Sequence, residues 1–265
     1  MALRIVQVDA FTDKPFRGNP AAVCVLPEPR EESWMKDVAR EMNLSETAFL
    51  VRREGNSFDL RWFTPEVEVA LCGHATLASA HALWESGQAD LNDCILFHSQ
   101  SGVLKASRRA DAKIELDFPQ KPCEEVEPPP GLCEALGVQP VFVGKNVFDY
   151  LIELRSESEV RKLAPNYSAI AQIPVRGVMV TARSEAPEFD FVSRFFAPAS
   201  GVNEDPVTGS AHCCLGPFWA SRLGKTQLRA YQASSRGGVL DVELVGERVK
   251  LCGNALTVME GNLLY

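Results

Sequence analysis

The stretch ATLASAHALWES, residues 75–86, is apolar on nearly every side when it is wound as a helix, and Gly87 after it is a typical stop signal. A helix without a polar face has to be enclosed by other elements. The rest of the first half supplies runs rich in β-branched and aromatic residues, which are typical of strands: IVQVDAF, AAVCVL, TAFLV, FDLRWF, CILFH and KIELDF. The sequence therefore predicts a sheet curved around one buried helix.

The second half of the chain repeats the first. Four short segments recur in the same order, 133 to 136 positions later: 61–65 at 194–198, 72–75 at 208–211, 102–104 at 238–240 and 114–116 at 249–251. A second apolar helix is expected at 211–223, although Gly216-Pro217 should kink or interrupt it. Four ordered matches indicate a duplication. We therefore predict an α+β fold of two pseudo-symmetric domains, each a curved, mostly antiparallel sheet or barrel around a central apolar helix.

The segment PQKPCEEVEPPPG, residues 119–131, separates the two halves. Its prolines prevent it from extending a helix or lying inside a central strand, so it is predicted to be a linker. The N-terminal half is then 1–118 and the C-terminal half 132–265, with a last strand that is able to cross to the N-terminal half.

Composition excludes several classes of protein. The chain has 265 residues and a formal net charge of -8, which argues against nucleic acid as a partner. No apolar run approaches the roughly 20 residues that span a bilayer, so no membrane partner is expected. The start of the chain resembles a first strand and no secretory leader, and the eight cysteines are expected to be free thiols. We expect a cytoplasmic protein.

The sequence does not favour a metal site or a cofactor. There is no C-x-x-C pair for a structural zinc ion. The conceivable ligands of a metal ion are Cys72, His74, His81 and His212. His74 and His81 are two helical turns apart, roughly 10 Å, which is too far for two side chains to share an ion.

Both buried helices begin after a glycine, Gly73 in one half and Gly209 in the other. The first N–H groups of a helix lack intrahelical partners and carry the positive end of the helix dipole. If the two helix starts face each other across a cleft, they would bind a small carboxylate. The alternative interpretation is that they are ordinary helix starts.

Three polar residues, expected near the starts of the two buried helices, have two interpretations each. Glu46 in NLSETAF resembles a solvated loop glutamate when it is judged from the residues alone. His74 is typical of a hydrogen-bonded structural histidine. Asp205 before a proline is typical of a turn, but a carboxylate close to an imidazole could also tune a shared proton.

Several motifs together resemble those of the phenazine-biosynthesis PhzF-like isomerase family: GNPAAVCVL at 18–26, NLSETAF at 43–49, RWFTP and LCGHATLA within 61–78, RFFAP at 194–198, EDPVTGSAH at 204–212 and SSRGG at 234–238. The similarity runs from about residue 4 nearly to the C-terminus. It implies the diaminopimelate epimerase-like fold, which agrees with the duplication, and it implies a biosynthetic enzyme that forms a homodimer.

The resemblance also implies roles for individual residues. The expected catalytic residues are Glu46, His74, Asp205 and Ser210. Glu46 would donate and accept the proton, and the other three would orient the substrate and hold protonation states. The expected substrate-binding residues are Gly73 and Gly209, through their N–H groups, with Cys72 and Thr208 at the positions that lead the two helices.

Related epimerases place a thiol before each central helix. Here Cys72 occupies the first position and Thr208 the second, so a two-thiol mechanism is incomplete. The hypothesis is a cofactor-independent isomerase that moves a proton on a small carboxylate-bearing metabolite by general acid/base catalysis with Glu46. Two alternatives stay open. One is a racemase or epimerase that uses Cys72 as one base, with Glu46 or Asp205 as the second. The other is a non-catalytic small-anion-binding or regulatory protein.

Overall fold

The computed structural model describes residues 2–264. The chain divides into two compact units, Met1–Phe118 with Leu251–Tyr265, and Pro119–Lys250. The first unit thus contains both the beginning and the end of the chain, and the segment predicted to be a linker opens the second unit.

The helices are α1 (Glu32–Met42), α2 (Gly73–Glu85), α3 (Leu132–Leu136), α4 (Glu157–Lys162), α5 (Tyr167–Ile170) and α6 (Gly209–Leu223), with a 3₁₀ turn at Pro198–Ser200. The strands are β1 (Leu3–Ala10), β2 (Asn19–Leu26), β3 (Glu46–Arg52), β4 (Ser57–Phe63), β5 (Glu68–Val69), β6 (Ile95–Ser99), β7 (Gly102–Arg108), β8 (Ile114–Pro119), β9 (Glu124–Glu125), β10 (Phe142–Lys145), β11 (Asp149–Glu153), β12 (Gly177–Arg183), β13 (Phe191–Ala197), β14 (Val202–Asp205), β15 (Gln227–Gln232), β16 (Gly238–Val245), β17 (Arg248–Gly253) and β18 (Ala255–Leu263).

The sheet of the first unit runs in the order β18, β1, β2, β3, β4, β6, β7 and β8. The pairs β2/β3 and β4/β6 are parallel, and the others are antiparallel. The last strand completes this sheet by pairing along the whole of β1, from Leu3 opposite Leu263 to Ala10 opposite Ala255.

The sheet of the second unit runs in the order β9, β10, β11, β12, β13, β15 and β16. Its parallel pairs are β11/β12 and β13/β15, at the same places in the order as the two parallel pairs of the first unit. The crossover between β4 and β6 contains α2, and the crossover between β13 and β15 contains α6. The predicted α+β fold of two similar sheet-and-helix units is confirmed.

The two apolar helices are enclosed as their sequences require. In α2 nearly every residue is buried, and the helix packs against β1, β2, β3 and β18. In α6 the buried residues likewise cover all sides, and this helix packs on β15 and β16. The amphipathic helix α1 buries Met35, Val38 and Ala39 against Phe49 and Phe63 of the first sheet. Within the described residues 2–264, no helix is long and apolar enough to cross a membrane.

The interruption expected at Gly216-Pro217 is absent, because α6 continues through both residues to Leu223. The kink expected as the other outcome stays a prediction. Proline lacks the N–H that would bond to the Cys213 carbonyl one turn earlier. The Lys121 N–H donates to that carbonyl at 2.9 Å and satisfies it from outside the helix. Gly216 permits close packing on the sheet, since a Cβ at this position would lie only 2.8 Å from Cγ1 of Val242.

A bidentate ion pair recurs at equivalent places in the two units. Arg61 on β4 donates to both carboxylate oxygens of Glu68 on β5, at 2.7 Å each. Arg194 on β13 donates to both oxygens of Glu204 on β14, at 2.7 and 2.9 Å. Each pair fixes the short strand that leads towards the following central helix. Bidentate pairs of this kind define orientation as well as distance.

We predict that Glu204→Ala destabilises the protein far more than the loss of an exposed ion pair. The Arg194 side chain is only 10% exposed, so the substitution leaves a buried guanidinium without its carboxylate, at a cost of about 3–5 kcal/mol. The matched control is Asp59→Ala, which removes the exposed pair with Arg53 and should cost at most about 1 kcal/mol. Urea denaturation measures both, and similar losses for the two variants would contradict this account.

Candidate active site

Three elements of the first unit bring their first residues to one place. Strands β2 and β3 are parallel, with Ala21 opposite Glu46, so the beginnings of the two strands lie at the same edge of the sheet. Asn19 is the first residue of β2. Gly18 before it has a φ of 66°, and a Cβ there would lie 2.1 Å from the Ala10 carbonyl oxygen, so only glycine fits this turn.

The side chains that meet at this edge surround the imidazole of His74, the second residue of α2. Oε2 of Glu46 lies 3.1 Å from Nε2 of His74. The amide nitrogen Nδ2 of Asn19 lies 3.0 Å from Nδ1 of the same ring. The Cys72 sulfur is 3.5 Å from Nδ1 and 4.0 Å from Nε2. Three of the predicted site residues, Glu46, Cys72 and His74, are thus brought together.

The carboxylate of Glu46 is largely withdrawn from solvent. Its side chain is 17% exposed, and that of His74 is 5% exposed. The Oε2 atom is inaccessible and has no well-aligned hydrogen-bond donor among residues 2–264. The contact with His74 therefore has the distance of an ion pair without the alignment of a good hydrogen bond. The interpretation of Glu46 as a solvated loop residue is wrong: it begins a strand and faces a buried imidazole.

The protonation states in this cluster follow from burial and charge. Burial, with the nearby charge of Glu46, raises the pKa of the Cys72 thiol to about 11, so the thiol is neutral at physiological pH. Burial alone would lower the pKa of His74, but its neighbours Cys72 and Glu46 outweigh that effect and raise it well above the usual value. Because the thiol carries no charge near neutral pH, the Glu46 carboxylate is the partner that favours the imidazolium.

The second unit builds a different network at the start of α6. The Thr208 hydroxyl donates to the carboxylate of Asp205, and Gln232 Nε2 donates to that hydroxyl at 3.1 Å. The Thr208 N–H donates to Oε1 of Gln232 at 2.8 Å, and Gln232 Nε2 also donates to the Asp205 carbonyl at 2.7 Å. Asp205 and Thr208 are therefore held together by a fully buried amide, and the hydroxyl of Thr208 is engaged on both sides.

The other predicted residues of this helix lie in its first turn. Gly209 is buried and begins α6, and Ser210 follows it half-buried. Gly73 occupies the equivalent first position of α2. Their assignment to substrate binding and catalysis stays a prediction.

His212, one turn into α6, is held neutral inside the second unit. Its Nδ1–H donates to the Thr208 carbonyl at 2.8 Å, and its ring stacks on Phe191. Nε2 is buried with no partner in the described part of the chain. Burial lowers the pKa of His212 to about 4, in accord with a structural role.

Two residues of these networks were not predicted from the sequence. Asn19 lies within the quoted GNPAAVCVL motif, and its position after a glycine turn was the available signal. Gln232 had no such signal, because a glutamine at the end of a strand is ordinary until the fold places it against Thr208.

Among the described residues, Glu46, Cys72 and His74 also form a group that could hold a metal ion. One donor atom from each lies within 4.8 Å of the other two. His81 does not join this group, since its Nε2 contacts the Thr257 hydroxyl at 3.2 Å.

Comparisons with known proteins place the chain in a family. The phenazine biosynthesis-like protein family matches residues 8–261. An uncharacterised isomerase of Halalkalibacterium halodurans is 55% identical over 265 residues, which cover all of this chain and 99% of that protein. The chain belongs to the phenazine biosynthesis-like protein family. The predicted family is thereby confirmed.

Solved structures agree with this assignment. The crystal structure of a PhzF family protein from Enterococcus faecalis matches with a TM-score of 0.93 and 42% identity, and the match covers 100% of both chains. A hydroxyproline epimerase from Agrobacterium vitis matches with a TM-score of 0.66 and 13% identity over 99% of this chain and 92% of that one. This second likeness shows the epimerase-like fold alone. The protein is an isomerase of the PhzF-like type, as the sequence predicted.

We predict that Cys72 resists alkylation in the native protein. Burial raises its pKa from 9.0 to about 11, which leaves roughly 100-fold less thiolate at pH 7.5 than an ordinary cysteine has. Cys123 is the internal comparison, because a hydrogen bond from the Cys214 thiol lowers its pKa and it is only half-buried. Peptide mass spectrometry after brief iodoacetamide treatment should show Cys123 labelled at least about 100-fold faster. Equal labelling of the two sites would show that Cys72 is an activated thiol.

We predict that His212 makes the protein sensitive to mild acid. The folded pKa of about 4 lies below the unfolded value of about 6.5, so unfolding takes up a proton between these values. The free energy of unfolding should fall by up to about 3 kcal/mol as the pH drops from 6.5 to 4.

The test is a set of urea titrations across this pH range. His212→Asn should remove this part of the pH dependence. Cys213→Ala, a neighbouring core change whose thiol has a pKa of about 12, should shift stability equally at every pH in the range. An unchanged pH slope in His212→Asn would exclude His212 as the source.

Proposed function

We propose that the protein is a cofactor-independent isomerase in which Glu46 moves a proton on a small carboxylate-bearing metabolite. The observation that carries the proposal is the Glu46 carboxylate held 3.1 Å from the His74 imidazole, with an inaccessible oxygen that lacks an aligned donor. The carboxylate is thus lightly hydrogen-bonded, and its side chain keeps 17% exposure through which a substrate proton can be reached.

His74 supports this chemistry from a fixed position. Its ring is held by Asn19 on the Nδ1 side and faces Glu46 on the Nε2 side. An imidazolium at this place stabilises the ionised carboxylate before the proton is removed. A neighbouring positive charge also favours the negative charge that develops on a deprotonated substrate.

The competing racemase scheme has weaker support. It needs a second base on the opposite side of the carbon, and the family relatives with two thiols would supply it from the residues that lead the helices. Cys72 is protonated near neutral pH, and the Thr208 hydroxyl already donates to Asp205. A single proton carrier, Glu46, suits transfer of a proton between two positions on one face of a substrate.

The start of α2 supports a carboxylate-bearing substrate. This 13-residue helix presents first-turn N–H groups and the positive end of its dipole beside His74, which favours a carboxylate. A substrate carboxylate bound there would place its neighbouring carbon near Glu46. Asp205, Ser210, Thr208 and Gly209 stay predicted participants in the same reaction.

Isotope exchange in deuterated water tests the proposal. A panel of small cyclic and amino-acid-like carboxylic acids is incubated with the wild type and with Glu46→Gln, and deuterium incorporation is followed by mass spectrometry. Loss of the general base should slow exchange by about 10²–10⁴-fold. Glu54→Gln, a change at an exposed loop position, is the matched control and should exchange at the wild-type rate.

The same assay separates the alternatives. Cys72→Ala should retain exchange under the proposal, whereas a racemase that uses the thiol would lose it. Exchange that persists in Glu46→Gln would remove Glu46 from its role. Tight binding of one of these acids without any exchange would instead favour a non-catalytic anion-binding protein.

A further inference from the structure

We propose that Glu46, Cys72 and His74 form a three-ligand site for Zn²⁺ or a similar thiophilic divalent cation. These side chains offer a carboxylate oxygen, a sulfur and an imidazole nitrogen, and the three donor atoms lie within 4.8 Å of one another. The set combines one donor from the start of β3 with two from the start of α2. It is not visible in the sequence, where Glu46 and Cys72 are far apart.

The two donor separations that involve His74 are close to those of a tetrahedral zinc site, and the separation between the Glu46 oxygen and the Cys72 sulfur is at most 4.8 Å. Zinc bonds of about 2.0–2.3 Å place neighbouring ligand atoms roughly 3.4–3.6 Å apart. Here Nε2 of His74 lies 3.1 Å from Oε2 of Glu46 and 4.0 Å from the sulfur of Cys72. Both distances differ from the tetrahedral value by a few tenths of an ångström, which small side-chain rotations supply.

Two further features of the cluster suit an ion. The first is Oε2 of Glu46, an inaccessible oxygen without an aligned donor within residues 2–264, which a cation would satisfy. The second is the Asn19 amide at 3.0 Å from Nδ1 of His74. A metal-bound histidine donates its other N–H to an oxygen acceptor. The atom of Asn19 that faces the ring is Nδ2, and rotation of the amide about Cβ–Cγ, which exchanges Nδ2 with Oδ1, would provide that acceptor.

The donor set selects the kind of metal. A thiolate with an imidazole favours Zn²⁺ or Co²⁺ over Mg²⁺ and Ca²⁺, which prefer all-oxygen sites. Three protein ligands leave a fourth position for water, and the partial exposure of Glu46 provides the route to solvent. Because the ion would take the carboxylate that the proposed function assigns to proton transfer, we infer that it blocks the isomerase instead of assisting it.

Cobalt spectroscopy tests the site without depending on turnover. Co²⁺ is titrated anaerobically into the full chain, and the near-ultraviolet thiolate-to-cobalt absorption is recorded for wild type, Cys72→Ala, Glu46→Gln and Asn19→Ala. The matched control is Cys94→Ala, a half-buried cysteine of the same unit outside the cluster. We expect one Co²⁺ per chain in the wild type and in the control, displaced by Zn²⁺.

The variants give graded expectations. Loss of Asn19 should weaken Co²⁺ binding about 10–100-fold, as outer partners of metal ligands do, and Glu46→Gln should weaken it further. Cys72→Ala should abolish the thiolate band, with circular dichroism used to verify that the variant is folded. A wild type without the band, or a band that persists in Cys72→Ala, would overturn the site. Isotope exchange by the metal-free protein reports on the proposed isomerase separately, so the two failures are distinguishable.

Discussion

The structure depends on the need to enclose a helix that has no polar face. Because α2 is buried nearly throughout, the sheet of the first unit has to pack around it, and strands β1, β2, β3 and β18 do so. Packing of the sheet around α2 also determines where this helix begins. Its first residues lie at the edge where β2 and β3 start, and this places Cys72 and His74 against Glu46 and Asn19. The cluster is thus a direct consequence of how the core is packed.

The duplication has kept the scaffold and changed the chemistry at the helix starts. Both units retain the strand order, the parallel crossover and the bidentate Arg–Glu pair before the central helix. In the first unit the residue that leads the helix is Cys72, beside an imidazole and a carboxylate. In the second unit it is Thr208, whose hydroxyl and N–H are both bound within a network centred on Gln232. At the start of α2, the Glu46 carboxylate has an oxygen without an aligned hydrogen-bond donor among the described residues. At the start of α6, Thr208 is hydrogen-bonded to Asp205 and Gln232.

Much of the fold could be predicted from the sequence because its signals are local or repetitive. An all-apolar helix, a glycine before it and four ordered repeats are visible without any contact information. The sequence did not reveal that α6 continues through Pro217, because the carbonyl that proline leaves unpaired is satisfied by a distant residue, through the Lys121 N–H. The interpretation of Glu46 from the residues alone was wrong for a similar reason. From the residues alone it resembled a solvated glutamate, and only the parallel pairing of β2 with β3 brings it to His74.

An incompletely satisfied carboxylate is a cost to stability that a purely structural site would not retain. Buried polar groups in folded proteins are nearly always hydrogen-bonded, and a carboxylate that accepts several N–H bonds is a poor base because those bonds stabilise its charge. Glu46 instead has one oxygen that faces the His74 ring without an aligned donor. The position of Asn19 on the far side of the ring shows that the chain can supply an amide at this edge, yet the amide holds the imidazole and leaves the carboxylate open. This distribution of hydrogen bonds is expected where the carboxylate exchanges a proton or receives a cation.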